Sequence, residues 1–131
     1  MLIVADQLLL HLVGDYVLQS HWMATQKTSR SLPAALHALA YSLPFLLLTR
    51  APGALAAIAI THFVIDRWRL IRYLVWFKDQ FAPKAFRHPW AECRKTGQHD
   101  SLPDWLGVWL MIIADNTLHL VCNGLALKYL V

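Results

Sequence analysis

Four long apolar stretches alternate with shorter polar segments along this chain of 131 residues. They cover residues 2–19, 32–49, 53–77 and 105–131. An α-helix that crosses a bilayer needs about 20 mostly apolar residues, so each stretch is long enough for one crossing. The pattern predicts an all-α polytopic membrane protein, in which four transmembrane helices form a bundle and residues 1–131 make a single integral membrane domain.

Basic residues are unevenly distributed over the connections between these stretches. The segments after the first and third stretches, including the long polar loop 78–103, carry most of the loop lysines and arginines, whereas the other side has only Arg50 and Lys128. Cytoplasmic loops of membrane proteins are enriched in Lys and Arg. We therefore expect a multi-pass protein of the bacterial inner membrane, with both basic loops in the cytoplasm and both termini on the periplasmic side.

Composition supports this interpretation. The chain is 57% hydrophobic and only 15% charged, whereas a soluble domain has about 25% charged residues. The net charge of +4 is interpreted as a means of setting orientation and of contacting anionic membrane lipids, and no nucleic-acid partner is expected. Cys93 and Cys122 form no CxxC pair, so neither a disulfide framework nor a thiolate metal site is predicted.

The polar residues inside the apolar stretches are mainly histidine and aspartate. A carboxylate at the middle of a bilayer costs about 2.5–3.5 kcal/mol on insertion scales, so it persists only when it is paired, bound to a metal or facing water. His11 and Asp15 are four residues apart, as are His62 and Asp66, and as are Asp115 and His119. Residues at this spacing share one helix face.

The remaining stretch offers His37 alone. At about 1.5 Å of rise per residue from the predicted cytoplasmic ends, the aspartates and His37 lie roughly 8–15 Å inside the membrane. The other three histidines lie about one turn deeper. A bundle that packs the four faces together is predicted to gather seven possible metal ligands in one pocket. These are His11, Asp15, His37, His62, Asp66, Asp115 and His119.

Imidazole and carboxylate ligands together suit a divalent transition metal, first Zn²⁺ and also Mn²⁺ or Fe²⁺, with one or two ions. The aspartates Asp15, Asp66 and Asp115 are also the candidate catalytic residues, since one of them can act as a general base. A proton or ion relay and a purely structural hydrogen-bond network are the other interpretations of the same residues.

Four further polar residues are assigned supporting roles. Lys27 and Arg69 are candidates for binding the charged head group of a substrate from the cytoplasmic side. Gln19 and Asn116 are candidates for orienting the metal ligands by hydrogen bonds. Asn123 is interpreted as a residue of helix–helix packing.

Several blocks of sequence occur in the order typical of a known family. They are His11–Gln19, Trp22-Met23-Ala24, Leu36-His37-Ala38, His62–Asp66 and Asp115–His119. In this order they resemble a bacterial and phage membrane-protein family catalogued as domain of unknown function 3307, although Asn116 stands where glutamine is expected. The resemblance implies a four-helix integral membrane protein and no particular reaction. The pattern is more distantly similar to membrane-bound metal-dependent hydrolases.

The leading functional hypothesis is an intramembrane metal-dependent hydrolase that acts on a lipid phosphoester or a similar amphipathic substrate. One alternative is a proton- or ion-coupled transporter or channel subunit, which with four spans needs a homo-oligomer. The other is a nonenzymatic phage or bacterial membrane scaffold that binds a partner through its basic loop.

Overall fold

The computed structural model describes the backbone of residues 2–131 and the side chains from Val4 onward, and the regular secondary structure of that part of the chain is all helical. The predicted all-α class is therefore confirmed. The α-helices are α1 (Leu2–Leu12), α2 (His21–Gln26), α3 (Ser31–Ser42), α4 (Pro52–Trp68), α5 (Ile71–Asp79) and α6 (Asp104–Tyr129). A π-helical turn follows α1 at Val13–Val17, and 3₁₀ turns lie at Leu43–Leu47, Lys84–Phe86 and Trp90–Glu92.

The helices form two compact units, which we describe separately. The first consists of residues up to 68 together with 119–131, and the second of residues 69–118. Because α6 runs from 104 to 129, its two ends contribute to different units.

Two predicted stretches of the first unit change their helical geometry before they end. The first continues from α1 into the π turn, and the second continues from α3 into the 3₁₀ turn Leu43–Leu47. Pro44 lies in the opening turn of that 3₁₀ segment, and proline has no backbone N–H with which to continue the α-helical hydrogen bonds. Helix α2 was not predicted, and it is capped by the Ser20 hydroxyl, which accepts a hydrogen bond from the Met23 amide over 3.2 Å.

The third predicted stretch, 53–77, is not one continuous helix. Helix α4 ends at Trp68 and α5 begins at Ile71, because Arg69 has a φ of +49°. A left-handed residue cannot continue a right-handed helix.

Helix α6 is the one helix among the described residues that is long and apolar enough to cross a membrane by itself. The segment Ser31–Leu47 is a shorter apolar helix. Of the four predicted crossings, the structure thus shows one as an unbroken helix of sufficient length.

The apolar core of the first unit is small and lies where α1, α3, α4 and the end of α6 meet. Its buried members are Leu10, Tyr41, Phe45, Ile58 and Ala126. Tyr41 also contacts a group of buried polar residues, which is described below.

The second unit is built around α5 and the polar loop. The Tyr73 and Trp90 rings stack with their centroids 4.6 Å apart. Gly97 has a φ of +85°, and its amide donates to the Cys93 carbonyl over 2.8 Å, which closes a tight turn. A Cβ at Gly97 would meet the Arg72 carbonyl oxygen and the Val75 side chain. Cys93 is a buried free thiol in this unit.

We expect Gly97→Ala to lower the free energy of unfolding by about 1–3 kcal/mol, because it combines a left-handed alanine with a backbone collision. Thermal unfolding of the purified protein measures the change. Gly107→Ala is the matched control, since its Cβ would lie 3.4 Å from Thr96 Oγ and its φ is helical. Equal destabilisation by both variants would contradict the role given to Gly97.

Candidate metal centre

Six polar side chains meet in the interior of the first unit. We call them the His/Asp cluster: His11, Asp15, His37, His62, Asp66 and His119. Their side chains are at most 10% exposed. They come from α1, the π turn, α3, α4 and α6, so the four predicted apolar stretches each contribute to one site.

Four possible ligand atoms of this cluster lie close together. The His37 and His62 Nε2 atoms are 2.9 Å apart. Asp15 Oδ1 lies 3.3 and 3.4 Å from these two nitrogens, and Asp66 Oδ2 lies 3.2 and 3.1 Å from them. Ligands on tetrahedral bonds of about 2.0–2.2 Å are about 3.3–3.6 Å apart. The contacts between carboxylate oxygens and imidazole nitrogens are close to this spacing, and the two nitrogens lie nearer to each other than it.

The second oxygen of each carboxylate faces another histidine. Asp15 Oδ2 lies 3.5 Å from His11 Nε2, and Asp66 Oδ1 lies 3.4 Å from His119 Nε2. Both carboxylates thus have imidazole nitrogens on each of their oxygens.

The donor set fits a cation. Asp15 Oδ1 is buried and accepts no hydrogen bond, although two imidazole nitrogens lie within 3.4 Å of it. A buried carboxylate oxygen without a hydrogen bond is costly. A positive ion among these ligand atoms removes that cost, and the buried His/Asp groups could hold one.

Lys27 brings a positive charge to the edge of the cluster. It follows α2, and its Nζ lies 2.8 Å from Asp66 Oδ2 and 3.4 Å from His37 Nε2. Its side chain is 19% exposed, whereas that of Asp66 is 4% exposed. The ammonium therefore partly neutralises a buried carboxylate and reaches outward. The head-group role predicted for Lys27 remains a prediction.

The π turn determines where Asp15 lies. The Leu18 amide donates to the Val13 carbonyl, five residues earlier, over 3.0 Å. This wider turn brings Gly14 against the Tyr41 ring and places Asp15 among the buried residues. A Cβ at Gly14 would lie 2.5 Å from Tyr41 Cδ2, so the close approach depends on glycine. Single π turns of this kind are frequent at functional sites.

Tyr41 and Asn123 support the cluster, and sequence reasoning did not assign them to it. The Tyr41 hydroxyl lies 2.7 Å from His11 Nδ1 and accepts a hydrogen bond from Asn123 Nδ2 over 2.6 Å. The Tyr41 ring stacks on His62 with centroids 3.7 Å apart. Both residues follow a cluster histidine by four positions, which is the signal that could have found them.

The other predicted site residues lie elsewhere. Gln19 Nε2 donates to the Asp15 backbone carbonyl over 3.1 Å, so it contacts the backbone of a cluster residue. Asp115, Asn116 and Arg69 belong to the second unit. Arg69 donates to the Lys95 carbonyl over 3.0 Å. The ligand groups found among the described residues do not include Asp115, and its predicted role as a ligand stays a prediction.

One comparison with known proteins gives a match. A family model described as "Protein of unknown function (DUF3307)" matches residues 3–122. No curated protein and no solved structure matches the chain. The matched range contains the whole His/Asp cluster.

We expect Gly14→Ala to lower the free energy of unfolding by about 1–3 kcal/mol, as overpacking of a buried contact does. The new methyl group pushes Tyr41 away from His62 and from His11. Thermal unfolding measures this effect. In the control Gly124→Ala, the nearest atom to the new Cβ is Gln7 Oε1 at 3.6 Å, so no loss is expected. An unchanged midpoint of thermal unfolding in Gly14→Ala would show that Tyr41 is not held against Gly14.

Proposed function

The chain belongs to the DUF3307 family, and we propose that it is a membrane-embedded metal-dependent hydrolase of lipid phosphoesters. Membership agrees with the resemblance predicted from the order of the motif blocks. The observation that carries the proposal is that three histidines and two aspartates form two buried groups that could each hold a metal ion, with His11 3.5 Å from one of the aspartates.

Exposed apolar side chains support a position in the membrane. Large hydrophobic residues are exposed along each of the longer helices, for example Val4 on α1, Leu39 on α3, Ile60 on α4 and Ile113 on α6. Soluble proteins rarely expose contiguous apolar surface on this scale. Contact with lipid accounts for these residues without any further partner.

Helix lengths are compatible with this placement. Helix α6 has 26 residues, which at about 1.5 Å per residue exceeds the bilayer core of about 30 Å. Helix α4 has 17 residues, the lower limit of about 17–25 for a crossing. We propose a multi-pass protein of the bacterial inner membrane in which α4 and Ser31–Leu47 span at this limit, with both termini on the periplasmic side.

We assign the two ion positions by the two oxygens of each carboxylate. His37 and His62 with Asp15 Oδ1 and Asp66 Oδ2 form one ligand set, and His11 and His119 with the other two carboxylate oxygens form the second. Zn²⁺ suits these ligands best, and Mn²⁺ or Fe²⁺ also fit. Such ions, when bound, supply an activated water and stabilise negative charge on the substrate.

Lys27 is the residue that we propose to bind the phosphate of the substrate. Its ammonium lies at the cluster and is partly exposed, so it can donate to a phosphoryl oxygen next to the metal ligands. The acyl chains of a lipid substrate match the exposed apolar residues of the helices. In the hydrolysis, the water oxygen bonds to phosphorus, the ester P–O bond breaks, and a proton goes to the leaving alcohol.

A proton or ion relay is the second candidate, and one contact favours it. The Nε2 atoms of His37 and His62 are 2.9 Å apart, and Lys27 Nζ lies 3.4 Å from His37. A row of titratable groups at hydrogen-bond distance can pass a proton through a membrane. Proton flux in liposomes, measured with and without a chelator, separates the two functions, because a relay does not need the metal.

Metal content tests the ligand assignment. We expect the purified protein to bind a transition metal, and Asp66→Asn to lose the cluster's ions, because this variant removes a carboxylate shared by both ligand sets. Elemental analysis of dialysed protein gives the stoichiometry. Asp115→Asn is the matched control and keeps the wild-type content if the ligand sets are as assigned. Equal content in wild type and Asp66→Asn would overturn the metal centre.

Lys27→Met tests the link between metal and substrate. The Lys27 ammonium competes with a metal ion for Asp66 Oδ2, and a charge-assisted hydrogen bond is worth about 1.5–3 kcal/mol, so we expect about tenfold tighter metal binding. We also expect slower hydrolysis of phosphatidic acid or phosphatidylglycerol in vesicles, measured by mass spectrometry of the products.

The control for this experiment is Lys128→Met, which removes an exposed lysine near the end of α6. It should change neither metal affinity nor turnover. If the metal-loaded wild type hydrolyses none of the vesicle lipids while Asp66-dependent proton flux is present, the relay is the function.

A further inference from the structure

The second unit contains another group of metal-ligand side chains, which the proposed function does not use. His88, Glu92 and His99 each offer one ligand atom, and these atoms lie within 4.8 Å of one another. We propose that these residues form a second metal site for a divalent transition-metal ion such as Zn²⁺. The site is independent of the His/Asp cluster, which belongs to the first unit.

Glu92 Oε2 is the common neighbour of the two imidazoles. It lies 3.2 Å from His99 Nε2 and 3.8 Å from His88 Nδ1. The two rings stack with centroids 3.7 Å apart and planes 27° from parallel, so one ring has to rotate for both to direct a nitrogen at the same ion. Two imidazoles and one carboxylate are a known donor set for zinc sites with an open position. The side chains are 30–53% exposed, so an ion can reach them from solvent.

The backbone around the three residues is held by specific hydrogen bonds. The His88 carbonyl accepts from the Trp76 indole Nε1 over 3.0 Å. The Asp100 amide donates to the Glu92 carbonyl over 3.1 Å, next to the tight turn at Gly97. These bonds fix the positions from which the ligand side chains extend. The group is therefore more than a chance meeting of surface side chains.

Ser101 provides the partner that a metal-binding imidazole requires on its other nitrogen. Its hydroxyl lies 2.6 Å from His99 Nδ1, and its amide donates to the same nitrogen over 3.2 Å. Without an ion, the His99 proton is on Nε2 and is donated to Glu92. If an ion took Nε2, the proton would move to Nδ1, where the Ser101 hydroxyl oxygen could accept it and the hydrogen bond from the Ser101 amide would be given up. Such partners fix the tautomer of metal-binding histidines.

A cavity of about 380 Å³ lies beside the site. His88 and His99 line it, together with Trp76, Asp79 and Gln80. Three protein ligands leave at least one coordination position of a tetrahedral ion open. The cavity has room for water or a small anionic ligand at that position.

Cobalt titration of the full-length protein tests the site, because Co²⁺ occupies zinc sites and its visible absorption reports the ligands. The titration uses the Asp66→Asn background, in which the cluster is disabled. We expect one bound Co²⁺ per chain in this background and its loss on adding His99→Ala. Adding Ser101→Ala, which removes no ligand, should weaken Co²⁺ binding about tenfold, as loss of such a partner does.

His21→Ala is the matched control, since His21 is an exposed histidine outside both ligand groups. It should leave the titration unchanged. If His99→Ala fails to fold, Glu92→Gln replaces it as the ligand-removing variant, because the amide keeps the shape of the carboxylate and loses its charge. Absence of bound Co²⁺ in the Asp66→Asn background overturns the site, as does Co²⁺ binding that survives both His99→Ala and Glu92→Gln. Neither result affects the metal centre of the first unit.

Discussion

The burial of two carboxylates among apolar helices is the constraint on which the first unit depends. Asp15 and Asp66 lie in its interior, and a buried carboxylate is tolerated only with positive or hydrogen-bonding partners on its oxygens. Those partners come from α1, α3, α4, α6 and the residue after α2, so most of the elements in this unit have to meet at one place. The apolar core around Tyr41 and Phe45 packs next to these partners.

A departure from regular α-helix occurs next to one of these buried carboxylates. The π turn at Val13–Val17 places Asp15 among the buried residues, and Gly14 lets the turn approach Tyr41. Tyr41 connects the polar cluster to the apolar core, because its hydroxyl contacts His11 and its ring packs against both His62 and Phe45. Local backbone geometry and side-chain chemistry therefore serve the same site.

Much of the candidate site could be predicted from spacing alone. The i,i+4 rule identified His11 with Asp15 and His62 with Asp66, and these pairs lie within 3.5 and 3.1 Å in the structure. The rule also pairs Asp115 with His119, and that pairing stays a prediction. It did not predict that His119 lies 3.4 Å from Asp66 Oδ1. Spacing shows which residues share a helix face; it does not show which other helix that face meets.

The sequence by itself determined the all-α class, the family, and the identity of six buried polar residues, because the cost of placing His and Asp in apolar helices makes their positions informative. Only the tertiary structure decided where helices break, as at Arg69, whose left-handed backbone has no signature in the residue type. It also decided that both carboxylates face histidines on each oxygen, and that His88, Glu92 and His99 meet. Distances between residues far apart in the chain follow from packing between elements, which local periodicity does not contain.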